Sequence, residues 1–262
     1  MNPNAPTIIV SSSPRAGSTL VQRLLCSSSN TIIYGDPVGQ EIEFLVTYAE
    51  TKKHFYAQNA ARIDPLRKAV LAGDDLRFIA SMMPERHKVD RALESVVGQW
   101  IDACSQDASE AGREFWGWKV AGGNPFVIGL LPQWFPEARI ITLTRDLADV
   151  VKSAKADGHF RCEDGLKHFC ESWISGEEAI NALRATRGDR VLALDFSDMI
   201  HNQMDTIRRL EEFTGARDIL ADVFLRKINH PDSDVHIPPA DLTDWEQGVV
   251  DRFLHPPATK VA

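Results

Sequence analysis

The sequence predicts an α/β fold with a central parallel sheet flanked by helices. Three observations carry that prediction. Short β-branched runs recur along the chain, they alternate with longer amphipathic stretches, and Thr7-Ile8-Ile9-Val10 is β-branched at every position. A continuous run of that kind suits a strand buried on both faces of a parallel sheet. Strands alternating with helices imply β-α-β units.

The elements follow in order. After the first strand comes a turn, Ser11–Gly17, then a helix over Ser18–Ser28 with Leu20, Val21, Leu24 and Leu25 on one side. Thr31–Tyr34 reads as a second strand, stopped by Gly35-Asp36-Pro37. Residues 40–60 have helical spacing at Ile42, Leu45, Val46 and Ala49, and residues 61–108 are mostly helical, with Val89, Leu93, Val96, Val97 and Trp100 on one face. Phe115–Val120 is a third strand, Pro125–Trp134 a short helix, and Ala138–Thr144 a further interior strand. Helices are expected over Asp146–Lys155 and 163–186, a strand over Arg190–Leu194, and an amphipathic helix over Gln203–Thr214 closed by Gly215. One domain over 1–262 is expected, with a helical insertion at about 40–112 and a surface tail at about 229–262.

The chain of 262 residues is 44 % hydrophobic and 25 % charged, which is ordinary globular composition. Its formal net charge of −8 argues against a nucleic-acid or anionic-membrane partner held by the overall field. Four cysteines in this length are no disulfide framework. No apolar stretch approaches a bilayer span, and the Thr7–Val10 run is too short for a signal peptide, so a cytoplasmic setting is expected.

The turn Ser11–Gly17 has the chemistry of a phosphate cradle. Gly17 lets backbone approach a ligand, and the first N–H groups of the following helix favour an anion. Ser18 and Thr19 add hydroxyls, and Arg15 adds a forked cation. No acidic residue precedes Asp36, so the first 35 residues carry +2 from Arg15 and Arg23. The nucleotide-kinase loop needs Gly-x-x-x-x-Gly-Lys. Here Ser12 stands at the first position and Ser18 follows Gly17, so a conventional ATP or GTP loop is disfavoured.

Pro14-Arg15-Ala16-Gly17-Ser18-Thr19 resembles the 5′-phosphosulfate loop of sulfotransferases that use 3′-phosphoadenosine 5′-phosphosulfate (PAPS). A second stretch, Ile140–Ser153, resembles the same family's 3′-phosphate signature: Arg145 closes a strand, and Ser153 follows within the next helix. Leu194–Met199 through Phe213-Thr214-Gly215 resembles its late strand, acidic turn and helix. The family's Gly-rich, Lys-bearing segment near the C-terminus is not recognisable. The resemblance, over about 7–215, implies a P-loop-like three-layer fold in which Pro14–Thr19, Arg145 and Ser153 bind PAPS. It implies transfer of a sulfonate group to a hydroxyl or amine of an unidentified acceptor, leaving 3′-phosphoadenosine 5′-phosphate (PAP).

Such a transfer resembles phosphoryl transfer, with attacking and leaving oxygens in line. Cationic side chains can meet its charge without a metal. Arg15 matches the family's cationic loop residue. Lys119, in Trp116-Gly117-Trp118-Lys119, resembles a lysine of the carbohydrate and tyrosylprotein branches, and a lysine in so apolar a strand needs a partner. Glu41, in Glu41-Ile42-Glu43-Phe44-Leu45, resembles the general base of the heparan-type and several bacterial branches, with Asp36 and Glu43 as alternatives. Phe44 and Leu45 are expected to pack that helix inward. His54, His87 and His159 lack the context of the family's histidine base. Trp116 or Trp118 could line an acceptor pocket. His159, Cys162, His168 and Cys170 lack the spacing of a familiar zinc site, so no metal is expected, and Cys170 and Trp173 suit a helix core. Another P-loop transferase or kinase, and a binding module without turnover, are the competing readings.

Overall fold

The structure is a computed structural model that describes residues 5–74, 79–226 and 237–255. Five strands form one parallel sheet: β1 (Thr7–Ser11), β2 (Thr31–Tyr34), β3 (Phe115–Val120), β4 (Arg139–Thr144) and β5 (Val191–Asp195). Their order is β2-β3-β1-β4-β5, with β1 between β3 and β4. Every residue of β1 is buried, as a central strand requires. The chain leaves β1 toward β2 on one side, then crosses from β3 to β4 on the other. That reversal opens a crevice at the carboxyl ends of the central strands, where such sheets bind ligands.

Helices cover both faces. On one, α1 (Ser18–Ser27) and α8 (Gln203–Thr214) pack Val21, Leu24, Leu25, Ile207 and Leu210 against Ile9, Ile141 and Leu143. Between β5 and α8 the short α7 (Phe196–His201) is capped by Asp195, whose carboxylate accepts from the Asp198 N–H. On the other face lie α4 (Pro125–Trp134) and α6 (Glu163–Thr186). Alternation along β3 sends Trp118 to the opposite face from Lys119, and Trp118 packs edge-on to Phe135 at 5.2 Å. Trp116 and Trp118 are both buried core residues, so neither lines a pocket beside Lys119.

Contacts divide the chain into two units: residues 1–39 with 107–262, and Gln40–Gln106. The second holds most of α2 (Asp36–Leu71) and of α3 (Arg86–Glu110). Lys53 pairs with Glu94 at 2.9 Å and Arg67 with Glu85 at 3.0 Å, which makes the two helices antiparallel. Ile42, Val46 and Ala49 are buried as their spacing predicts. Phe44 is not packed inward: it is 67 % exposed, because it falls off the face defined by those three residues. Of the expected α3 face, Val97 is buried, whereas Val96 and Trp100 are exposed.

The C-terminal stretch differs from the expected surface tail. Its residues 229–236 and 256–262 lie outside the described residues, but Asp244–Leu254 forms α9. Val249 and Val250 of α9 are buried with Leu147, Val151 and Ala154 of α5 (Leu147–Ala156). Thr243 and Glu246 make a capping box, a start signal embedded in a Pro- and Asp-rich stretch. Glu246 is buried and meets Lys155 of α5 at 2.6 Å. Burial alone would raise its carboxyl pKa. Bonds from Lys155, the Thr243 N–H and the Thr243 hydroxyl outweigh burial and hold it below the ordinary 4.5.

A carboxylate with a depressed folded-state pKa stabilises the fold above its ordinary value and loses that contribution as pH falls through the folded one. Glu246→Ala is expected to cost about 2 kcal/mol at pH 7, read from chemical denaturation. Below pH 4 the gap between variant and parent should narrow. A gap that widens there would contradict the pairing.

Candidate active site

The loop after β1 is braced from both neighbouring strands. The Ser11 hydroxyl donates to the Ser13 carbonyl at 2.8 Å and accepts from the Gly122 N–H at 3.2 Å. Arg15 takes a left-handed backbone, φ 70°, and Gly17 follows with φ 103°. That second bend caps α1 and leaves its first N–H groups without intrahelical partners. A side chain at Gly17 is excluded by space as well as by conformation, since a Cβ would sit 2.5 Å from the Phe196 ring. From below, α6 comes close enough that a Cβ on Gly176 would lie 2.4 Å from the Ser12 carbonyl oxygen. Pro14 and Arg15 are half-buried, Ala16 and Ser18 buried, and Thr19 exposed in the first turn of α1.

Lys119 is 5 % exposed, and its register partner on β1 is Ile9. Its ammonium donates to the Asp36 carboxylate at 2.6 Å and to the Thr19 hydroxyl at 3.1 Å. The other Asp36 oxygen accepts from the Ala121 N–H at 3.3 Å. Asp36 thus joins the start of α2 to the end of β3 and neutralises the buried cation. Helix α2 begins at Asp36 rather than near residue 40, with Pro37 in its first turn, a position that suits proline.

Arg145 follows β4. Its Nη1 donates to the Arg15 carbonyl at 2.8 Å, and its guanidinium lies 4.1 Å from the centre of the Phe196 ring. Its Nε is buried with no partner among the described residues. Burial pushes this guanidinium below the usual arginine value, opposed by Asp149 and Asp146 and assisted by the Arg15 cation. An arginine stays charged all the same, so the position favours an anion. The Arg15 Nε donates to the Ser153 hydroxyl at 3.2 Å, and its Nη1 meets Asp157 at 3.4 Å. Ser153 itself is buried on α5.

Arg15, Thr19, Lys119, Arg145 and Ser153 therefore converge at one edge of the sheet. Glu41 is exposed on α2 and belongs to the second unit. Three partners escaped sequence reasoning: Asp157 on Arg15, Phe196 on Arg145, and Asp36 as the counter-ion of Lys119. Only the last had a signal, as the first carboxylate in the chain. Cys170 is buried among Leu166, Leu147 and Val250, and burial pushes its thiol up to about 11. Among the described residues, no group of three or more His, Cys, Asp or Glu is placed to hold a metal ion. No described helix is long and apolar enough to cross a membrane.

Gly17→Ala sets a methyl group against Phe196 in a backbone conformation that L side chains avoid. The expected cost is about 1–3 kcal/mol, seen as a lower denaturation midpoint at unchanged slope. An unchanged midpoint would show that the bend is not fixed.

Comparison with known proteins agrees with this fold. The sulfotransferase domain from the Synechococcus PCC 7002 olefin synthase is similar at a TM-score of 0.53 and 16 % identity, covering 97 % of this chain and 96 % of that one. The sulfotransferase domain from the curacin biosynthetic pathway gives 0.51 and 12 %, over 95 % and 98 %. At such identities the likeness shows a shared fold. No curated protein matches the chain. The sulfotransferase family model matches residues 6–219, which span every strand and the whole cationic edge. The chain belongs to the sulfotransferase family.

Proposed function

We propose that this protein transfers a sulfonate group from PAPS to a hydroxyl or amine of an acceptor. The observation that supports this reading best is the convergence of three cations on one phosphate loop. Lys119 reaches Thr19, Arg145 holds the Arg15 carbonyl, and Arg15 holds Ser153. A donor with phosphate at both its 5′ and 3′ positions needs two cationic subsites a nucleoside apart. The loop with Lys119 is suited to the 5′ end, and Arg145 with Ser153 to the 3′ end. The buried Arg145 Nε, which has no partner among the described residues, fits that use, because a bound anion would satisfy it. A kinase reading has no comparable support, since Ser18 follows Gly17 in place of lysine.

In the reaction an S–O bond forms to the acceptor oxygen, or an S–N bond to an amine. The S–O bond to the 5′-phosphate breaks, and PAP leaves with the bonding pair. Lys119 donates to the oxygen that gains charge, and Arg15 adds a second cation there by exchanging Asp157 for the donor. The acceptor proton goes to a carboxylate. Glu41 has that role by resemblance, while Asp36 is the carboxylate in contact with Lys119. A reducing, cytoplasmic setting belongs to the same reading, in which Cys26, Cys104, Cys162 and Cys170 form no disulfide.

PAP is expected to raise the melting temperature, because it binds the native state alone. No shift at saturating PAP would refute the donor assignment. Arg145→Ala should weaken PAP binding about tenfold or more. Lys119→Ala should instead lower turnover of labelled PAPS, by about 10²-fold or more. Glu41→Gln should lower turnover about 10²-fold at unchanged PAP affinity. Full turnover in Glu41→Gln with loss in Asp36→Asn would assign the proton to Asp36.

A further inference from the structure

On the α6 side of the phosphate loop lies a groove of about 450 Å³. Its walls are the start of the loop (Ser12–Pro14), the turn that follows β3 (Gly122–Pro125) and one face of α6. The turn begins three residues after Lys119, and the loop leads directly into Arg15. The groove therefore adjoins the cationic edge but carries a different chemistry.

The α6 wall is a polar stripe. His168, Glu171, Ser172 and Ser175 recur at i, i+3, i+4 and i+7, so they share one helix face. All four are exposed, and their side chains make no hydrogen bond or ion pair with another described residue. Across from them Ser13 is 2 % exposed, and its hydroxyl is buried without a partner. A buried hydroxyl lacking a partner is costly unless a ligand or water supplies one. Pro14, Pro125 and Phe169 add flat apolar surfaces between the polar groups. Among the described residues no lysine or arginine lines the groove, so Glu171 gives it a negative bias. The adjoining edge differs in carrying three cations, Arg15, Lys119 and Arg145, two of them paired with Asp157 and Asp36.

We propose that this groove seats the acceptor, that the acceptor is a hydroxyl-rich molecule without negative charge, and that His168 and Glu171 bind it. The proposal rests on the sulfonate-transfer reading above. Hydroxyl, imidazole and carboxylate groups set one helical turn apart match closely spaced hydroxyls, and the prolines and Phe169 match C–H faces. A phenol or a steroid calls for an enclosed apolar pocket instead. An acceptor bearing carboxylates or sulfates would meet Glu171 with no cation to offset it. An amino group on the acceptor would be favoured for the same reason.

The test uses the full chain, labelled PAPS and four probes: maltose, glucosamine, 4-nitrophenol and a uronic-acid tetrasaccharide. Maltose or glucosamine is expected to have the highest kcat/KM. In His168→Ala and Glu171→Gln the KM for that sugar should rise about tenfold or more, with PAP affinity unchanged. Preference for 4-nitrophenol or the uronic tetrasaccharide would overturn the proposal, as would parental KM values in both variants. Saturation-transfer NMR with maltose and glucosamine, with and without PAP, reads binding independently of turnover. Binding that is lost in Glu171→Gln supports the groove, and no transfer to either sugar overturns it. Failure of PAP itself to bind would refute the donor assignment separately, because sugar binding is also read in its absence.

Discussion

A lysine ammonium taken almost wholly out of water has to find an anionic partner, and the site is arranged around that requirement. Lys119 lies on β3, next to the central strand, with its charge removed from solvent. Asp36 supplies the counter-charge at 2.6 Å, so the start of α2 is fixed to the end of β3. The remaining donor capacity of the ammonium points to Thr19, in the first turn of α1. Replacing Lys119 by an apolar residue would relieve the desolvation cost, so stability alone does not explain the lysine. A cation held against a helix N-terminus makes physical sense where an anion is bound and released.

The sheet order makes the convergence possible. With β1 between β3 and β4, residues that close those two neighbouring strands flank whatever follows the central one. Lys119 and Arg145 therefore stand on either side of the loop, though 26 residues separate them in sequence. The net charge of −8 does not exclude a polyanionic donor, because Arg15, Lys119 and Arg145 converge on one edge, with Asp36 and Asp157 as counter-ions that a bound anion would replace or share. Away from this edge, Glu246 holds α9 to α5, the helix that carries Ser153.

Much of the fold was legible because its signals are local. The strands at Thr7, Thr31 and Phe115, and the helix from Gln203 closed by Gly215, depend on β-branched runs, apolar spacing and a glycine with φ 83°. The left-handed turn after β1 was legible for the same reason, since its glycine, hydroxyls and cation are contiguous. What sequence could not give was pairing across distance. The Arg15–Asp157, Arg145–Phe196 and Lys119–Asp36 contacts span 142, 51 and 83 residues, and no periodicity reports them. The exposed Phe44 and the buried α9 fail in opposite directions. Hydrophobic character does not say which helix face is covered, and a capping box is easily overlooked among prolines and aspartates.

The central claim is that the cationic edge recognises a nucleotide phosphorylated at both ends. Isothermal titration of the protein with PAP and, separately, with adenosine 5′-monophosphate tests it most directly, because the two differ in the 3′-phosphate alone. If Arg145 and Ser153 form the 3′ subsite, PAP binds at least about tenfold more tightly. Equal affinities, or heat from neither ligand, would contradict the claim.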